Sequence, residues 1–331
     1  MTNDNAKIII PEKSAAVKKL NRHKAQNKAK DICVTIIRLI FLISVGYIIV
    51  YPLFAMIAYT LMSHADVLDP SVIWIARHPT TENLEIAWDS LNYLEGFTQT
   101  ILVGVISALI EVFSCAVIAY GFARFNFKGK GFLFGLVLLT AIVPVQVLSI
   151  PLYLNFRFMD FGGLTQIIGG MFGNSEYVID VTNTPWTFYL PSIFGVGLRS
   201  GIFIFIYRQF FLGLPKELEE ASYIDGAGPI KTFLRVIIPS SGVVFTTVTI
   251  FSIIWHWNEY YLSVLYFQTD FPLSVSLAGI GTALESQGLA FDSAAGPTSA
   301  ACLLYILPVL IMFIFMQKKF IQSVDRVGIV G

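Results

Sequence analysis

Charge is what this sequence has least of. Asp, Glu, Lys and Arg make up 13% of its 331 residues, about half the share of a soluble domain. A globule facing water on every side needs more charged surface, and the 55% hydrophobic share excludes an intrinsically disordered chain. Basic and acidic residues balance at 22 each, so no net charge draws the chain to nucleic acid. Cysteine is scarce: Cys33, Cys115 and Cys302 lie far apart inside apolar stretches. They have neither metal-ligand spacing nor a disulfide framework and read as small buried apolar residues. A phosphate-binding Gly-x-x-x-x-Gly-Lys-Ser/Thr loop is missing, since Lys128-Gly129-Lys130-Gly131 lacks both the spacing and the hydroxyl. His-Glu-x-x-His, a Ser/His/Asp context and clustered acids at one membrane face are missing too, so no catalytic residue, metal or cofactor is expected. What remains is a membrane protein.

A spanning helix needs ~20 mostly apolar residues, because the hydrocarbon layer is about 30 Å thick and each residue rises ~1.5 Å. Six stretches qualify: Cys33 to Met62, Phe97 to Phe122, Phe132 to Asn155, Trp186 to Leu212, Val243 to Phe267 and Ala300 to Met316. The expected fold is an all-α integral membrane protein with six transmembrane helices. The first stretch follows a 32-residue polar tail and has no small-residue cleavage site, so it reads as a span and not a signal peptide. Eighteen of the 22 Lys and Arg fall in the N-terminal tail, the second and fourth connections and the C-tail. The opposite connections hold only Arg77 and Arg157 but many acids, among them Asp66, Asp69, Glu82, Glu85, Asp89 and Glu95. Basic residues concentrate on the cytoplasmic side, which places both termini there. The expected parts are a mobile tail over 1–32, a first span and external loop over 33–96, a core over 97–317, and a cytoplasmic C-tail over 318–331. In the external loop, Trp74, Trp88 and the run Asn83 to Trp88 read as an interfacial segment anchored by tryptophan.

The fourth connection, 213–239, is too apolar for a free loop. Pro215 followed by Lys216-Glu217-Leu218-Glu219-Glu220 suits a helix start. Leu218, Ala221 and Ser222 share a face at helical spacing, and two of them are small. Gly226 can take the left-handed conformation that ends a helix. Gly228-Pro229 suits the start of a second helix with Phe233 and Ile237 on one stripe, stopped by Pro239. Such a hairpin either packs on its own membrane domain or presents a docking surface to another protein.

Glu220-Ala221-Ser222, three residues, Gly226, nine residues, then Val236-Ile237-Ile238-Pro239 resembles the EAA signature of ATP-binding-cassette (ABC) importer permeases. The version running to Asp225, Gly226 and Ala227 looks like that of the carbohydrate-uptake branch, which includes the maltose transporter permeases. Ala119 to Gly129, Val143-Pro144, Ile150 to Tyr153 and Trp257-Asn258-Glu259-Tyr260 are similar to further stretches of that family. At the C-terminus, Ser323-Val324-Asp325 stands where the family has Gly-Leu-Thr. The resemblance implies a type I ABC importer transmembrane domain whose coupling helix, around Leu218 to Gly226, sits in a cleft of a separate cytoplasmic ABC ATPase dimer. Leu218, Glu220, Ala221, Ser222, Asp225, Gly226, Ala227 and Pro239 are the coupling residues it implies. Its other implied partners are a second homologous permease subunit, an extracytoplasmic sugar-binding protein and the lipid bilayer. With no phosphate loop in this chain, energy must come from the ATPase.

Ionisable groups inside a span cost ~2.5–3.5 kcal/mol at the centre, so they face protein or water. Glu111, Arg199 and Glu259 are such groups, and Arg199 neutralised by Glu111 or Glu259 beside a translocation path is one reading; a position nearer an interface is the other. His256 between Trp255 and Trp257 is either a sugar platform or packing. Glu111, Arg199, His256, Trp257, Asn258 and Glu259 are therefore the candidate path residues. An ion-coupled secondary carrier using the intramembrane acids competes with the importer reading, but leaves the hairpin without a role.

Overall fold

A computed structural model describes residues 12–160, 162–171, 178–289 and 293–327. Among them secondary structure is helical, apart from two isolated backbone bridges, Met62 to Pro79 and Met159 to Ile179. The chain divides into two compact units, Met1–Ala58 and Tyr59–Gly331.

The described residues of the first unit form one helix, Glu12–Leu61, whose last three residues belong to the second unit. The expected mobile tail is thus helical over its described part, and residues 1–11 lie outside the described residues. No Pro or Gly interrupts 12–45, Ala, Lys, Leu and Arg are strong helix formers, and a helix once nucleated by its apolar part propagates cheaply. The apolar side chains of this unit stand exposed from Ile32 to Tyr51, Ile48 at 69%. That surface suits the hydrocarbon of a bilayer. Cys33 is exposed here, against expectation, and Cys302 is half-buried; only Cys115 is enclosed.

In the second unit two long apolar helices run unbroken, Tyr93–Arg124 and the Ala295–Lys318 part of Ala295–Val327. The other three expected spans are interrupted, each for a local reason. The third is two helices, Lys130–Ile142 and Val145–Arg157, bent by 101°. Pro144 forces the residue before it out of the helical region, and Val143 duly sits at ψ 122°. The fourth consists of Trp186–Ile193 and Ser200–Gly213, separated by a turn in which Arg199 adopts φ 65°. The fifth consists of Gly242–Trp257 and Tyr261–Tyr266. Broken backbone at membrane depth must be satisfied by protein, and it is. Glu259 Oε1 accepts the Leu262 N–H at 2.7 Å, and Asn258 Nδ2 donates to the Ile254 carbonyl at 2.7 Å.

Aromatic side chains dominate the interior. Tyr120, Phe203, Tyr207, Phe211, Phe233 and Val248 form one cluster that joins helix Tyr93–Arg124 to Ser200–Gly213 and to the hairpin over 213–239. A second cluster gathers Ala87, Leu91, Trp257, Leu273, Leu284 and Ala300. It holds down the helix Glu82–Ser90 in the loop over 63–96. That loop is built into the protein: Asn83 Nδ2 donates to the Met62 and Thr60 carbonyls at 2.8 and 3.0 Å. The His78 backbone N–H donates to Asp66 at 2.8 Å and holds its carboxyl below the usual carboxylate range. The Trp88 ring packs, tilted, 4.4 Å from the Tyr93 ring, half its surface covered.

The stretch Gly173 to Pro185 is described only from 178. There Arg157 pairs with Asp180 at 2.6 Å, and Asn183 Oδ1 accepts the Gln268 N–H at 2.9 Å.

Candidate functional site

The hairpin over 213–239 forms as its sequence dictates. Glu217, Glu219 and Glu220 occupy the first turn of the helix Glu217–Ile224, where the backbone dipole favours acids. Gly226 ends it at φ 78°. The Ala227 N–H donates to the Ser222 carbonyl and the Gly226 N–H to that of Tyr223, each at 3.0 Å, the paired bonds of a glycine helix stop. Pro229 opens the next helix, Pro229–Ser240. Ser222 and Thr232 hydroxyls meet at 3.0 Å and tie the two together. This helix ends one residue after Pro239. The chain then turns by 82° at Ser241 into Gly242–Trp257. Proline lacks the N–H that the Arg235 carbonyl would accept, and the turns over Phe233–Ile237 widen just before it.

The hairpin has two sides. Inward, Phe233 and Ile237 are buried, and Phe233 lies 4.9 Å from the Tyr120 ring. Glu219, the next residue to two of the expected coupling residues, is also buried. Its Oε1 sits 2.5 Å from Arg124 Nε, with both side chains under a tenth exposed. Neither atom has an aligned hydrogen bond, so the contact is one of charge. The Tyr120 hydroxyl donates to Glu219 Oε2 at 3.3 Å, and Arg124 Nη2 donates to the Leu214 carbonyl at 3.0 Å. Outward stand Leu218, Glu220, Ala221, Tyr223, Asp225 and Gly226, with Ile224 86% exposed. Ile230 and Leu234 continue this apolar surface across the turn, at 78% and 46% exposed. Of the expected coupling residues, Ser222 and Ala227 are half-buried and Pro239 lies beyond the tip, at the bend.

Sequence reasoning missed Glu219 and Arg124 as a pair. The available signal was spacing: Tyr120 and Arg124 are four residues apart on one helix face, and Glu219 is three residues before Ser222, the other inward polar side chain of its helix.

The candidate path residues do not assemble into one site. Glu111 is fully enclosed. The Ser200 hydroxyl donates to its Oε1, and the Ser252 hydroxyl lies 3.2 Å from its Oε2. His256 is buried, its Nδ1 is 2.9 Å from the Ser252 carbonyl and 3.7 Å from Glu111 Oε2. Gly104 allows this junction: a Cβ there would lie 3.3 Å from the His256 carbonyl. The expected pairing of Arg199 is not formed. No carboxylate among the described residues lies within ion-pair distance of it, and its guanidinium stands 5.7 Å over the Trp255 ring. The left-handed turn points Arg199 outward while Ser200 takes the place beside Glu111. Nor do the tryptophans make a platform in this conformation. Trp257 is 4% exposed, packed between Phe97 and Tyr305, while Trp255 packs on Phe203 and Phe251. Asn258 and Glu259 serve the break in the helix, and Asn258 Oδ1 accepts the Tyr305 hydroxyl at 3.2 Å.

Known proteins give these features a frame. The chain is 29% identical over 286 residues to the probable ABC transporter permease protein YurM of Bacillus subtilis, covering 86% of this chain and 84% of that one. It is 24% identical over 291 residues to the arabinooligosaccharides transport system permease protein AraQ of Halalkalibacterium halodurans, covering 87% and 93%. Among solved structures it matches a bacterial ABC transporter involved in the import of the acidic polysaccharide alginate. The TM-score is 0.64 at 20% identity, covering 88% of this chain and 98% of that one; at that identity the likeness speaks to the fold. Residues 113–326 match the model of the binding-protein-dependent transport system inner membrane component family. With nearly two thirds of its length inside that match, the chain belongs to the family of binding-protein-dependent transport system inner membrane components.

Proposed function

We propose that this chain is one of two membrane subunits of an ATP-driven importer that moves a sugar or oligosaccharide handed over by an extracytoplasmic binding protein. In this reading the tip of the 213–239 hairpin docks into a separate cytoplasmic ATPase dimer, and both chain termini lie in the cytoplasm. The observation that carries it is the two-sidedness of the hairpin. Its inner face is bolted to the membrane domain by Phe233, Ile237 and the Arg124–Glu219 pair. Its outer face leaves Leu218, Ile224, Ile230 and Leu234 uncovered, an apolar surface that invites a partner. The carbohydrate assignment rests on the Glu220 to Ala227 version of the signature and on the sugar transport named for its relative. The exposed apolar surface of the first helix suits lipid together with the second permease.

An ion-coupled carrier would need an intramembrane acid free to exchange its ion. Glu111 is instead shared between serines and Glu259 holds a helix end, which favours the importer. Uptake into cells that collapses on ATP depletion while ion gradients persist supports the proposal; uptake that follows the gradients refutes it.

A further inference from the structure

We propose that Arg124, Glu219 and Tyr120 form a lock that makes the coupling hairpin and the helix Tyr93–Arg124 move as one body. This inference rests on the docking role proposed for the hairpin. The lock has three parts. Arg124 is the last residue of its helix and reaches the hairpin twice, at Glu219 Oε1 (2.5 Å) and at the Leu214 carbonyl before the first hairpin helix (3.0 Å). Tyr120, one turn earlier, donates its hydroxyl to the other Glu219 oxygen at 3.3 Å. All three side chains are enclosed, with Phe233, Phe211 and Phe125 against the Tyr120 ring.

Enclosure decides what the pair does. An exposed ion pair at a membrane surface would slip as its side chains change rotamer, and it would be screened by salt. A buried one cannot separate without leaving a charge unpaired in an apolar setting. A push on the outward face of Glu217–Ile224 therefore reaches Arg124 through a stiff contact. From there it passes back along the continuous helix Tyr93–Arg124 to Glu111, which touches Ser200 and Ser252 on two further helices. Arg124 and Glu219 are positioning residues: they face the protein, and neither lies on the docking surface.

Two measurements on the full chain in lipid nanodiscs test the lock. In the chain alone, Glu219→Gln and Arg124→Gln should speed amide exchange across Glu217–Ile224 roughly two- to thirtyfold, with the long spans unchanged. The reversed pair, Arg124→Glu with Glu219→Arg, should recover part of that protection. Hairpin exchange at the wild-type rate in both single variants overturns the proposal. In the assembly with its ATPase, labelling of an Asn258→Cys site by a hydrophilic maleimide should respond to ADP-vanadate. With Glu219→Gln added, the ATPase should still copurify and trap nucleotide, but the response should be lost. A merely structural role predicts loss of assembly instead, and an unchanged response overturns the proposal. If the single variants do not accumulate, Arg124→Met with Glu219→Met, which buries no charge, carries the same two readings. Should no ATPase copurify with the wild type, the docking role falls, and the exchange measurement still judges the lock by itself.

Discussion

Replacing Ile224 by Asp should sever docking while sparing the fold. Ile224 is 86% exposed at the end of the first hairpin helix and contributes almost nothing to the interior. Substitutions at such positions usually change stability by no more than about 0.5 kcal/mol. In the docked state the same side chain would be enclosed. Full burial of an isoleucine contributes about 1.5–3 kcal/mol relative to leaving it in water. Aspartate forfeits that contribution and adds the cost of taking a carboxylate out of water, so association should weaken by at least about ten- to a hundredfold. The assay is titration of fluorescent ATPase onto the chain in nanodiscs, run beside thermal unfolding in detergent. The expected result is unfolding within a degree or two of wild type and a large loss of affinity. Affinity within a factor of two of wild type would refute the reasoning, because an uncovered isoleucine at an interface cannot be exchanged for a carboxylate without consequence.

Gly226→Asp should leave the protein in the membrane but reduce copurification of the ATPase. Position 226 sits at φ 78° with nothing within 4 Å of an added Cβ, so the effect is backbone strain of about 1–2 kcal/mol at the tip; retained copurification would count against it. Glu111→Ala should lower stability by roughly 2–4 kcal/mol, since it leaves the buried Ser200 hydroxyl without its acceptor and opens a cavity. Glu111→Gln, which keeps volume and an acceptor, should cost much less, and thermal unfolding of the two variants distinguishes them. In the loop over 63–96, the Asp66 carboxyl is held below its unfolded value by the His78 N–H. Its contribution is therefore full above about pH 4, the unfolded carboxylate value, and disappears as pH falls through the lower folded value. Proteolysis of 63–80 by an acid-active protease should stay slow down to about pH 4 and accelerate below it; acceleration already near pH 6 would contradict the assignment.

Much of this architecture is legible in the sequence because it depends on composition and on short-range stereochemistry. Apolar length marks the membrane stretches, and Gly226 and Pro229 lie where a helix must end and another begin. Less legible is anything set by contacts between distant segments. The breaks at Val143-Pro144, before Ser200 and after Trp257 sit inside hydropathy windows that remain apolar throughout, so averaging over a span hides them. Arg199 reads as an intramembrane charge needing a carboxylate, yet its own left-handed turn points it outward, away from Glu111. Ser200, an unremarked neighbour, occupies that place. Likewise Glu219 stands among three acids in one helical turn, and only the position of Arg124 across the fold separates it from Glu220, which points out.

A photocrosslinking residue in live cells gives the most direct reading of whether the hairpin tip touches an ATPase. Placed at Ala221, on the outward face, it should capture a cytoplasmic ABC ATPase; placed at Thr232, which is buried, it should capture none. Crosslinks from Ala221 to lipid alone would contradict the account.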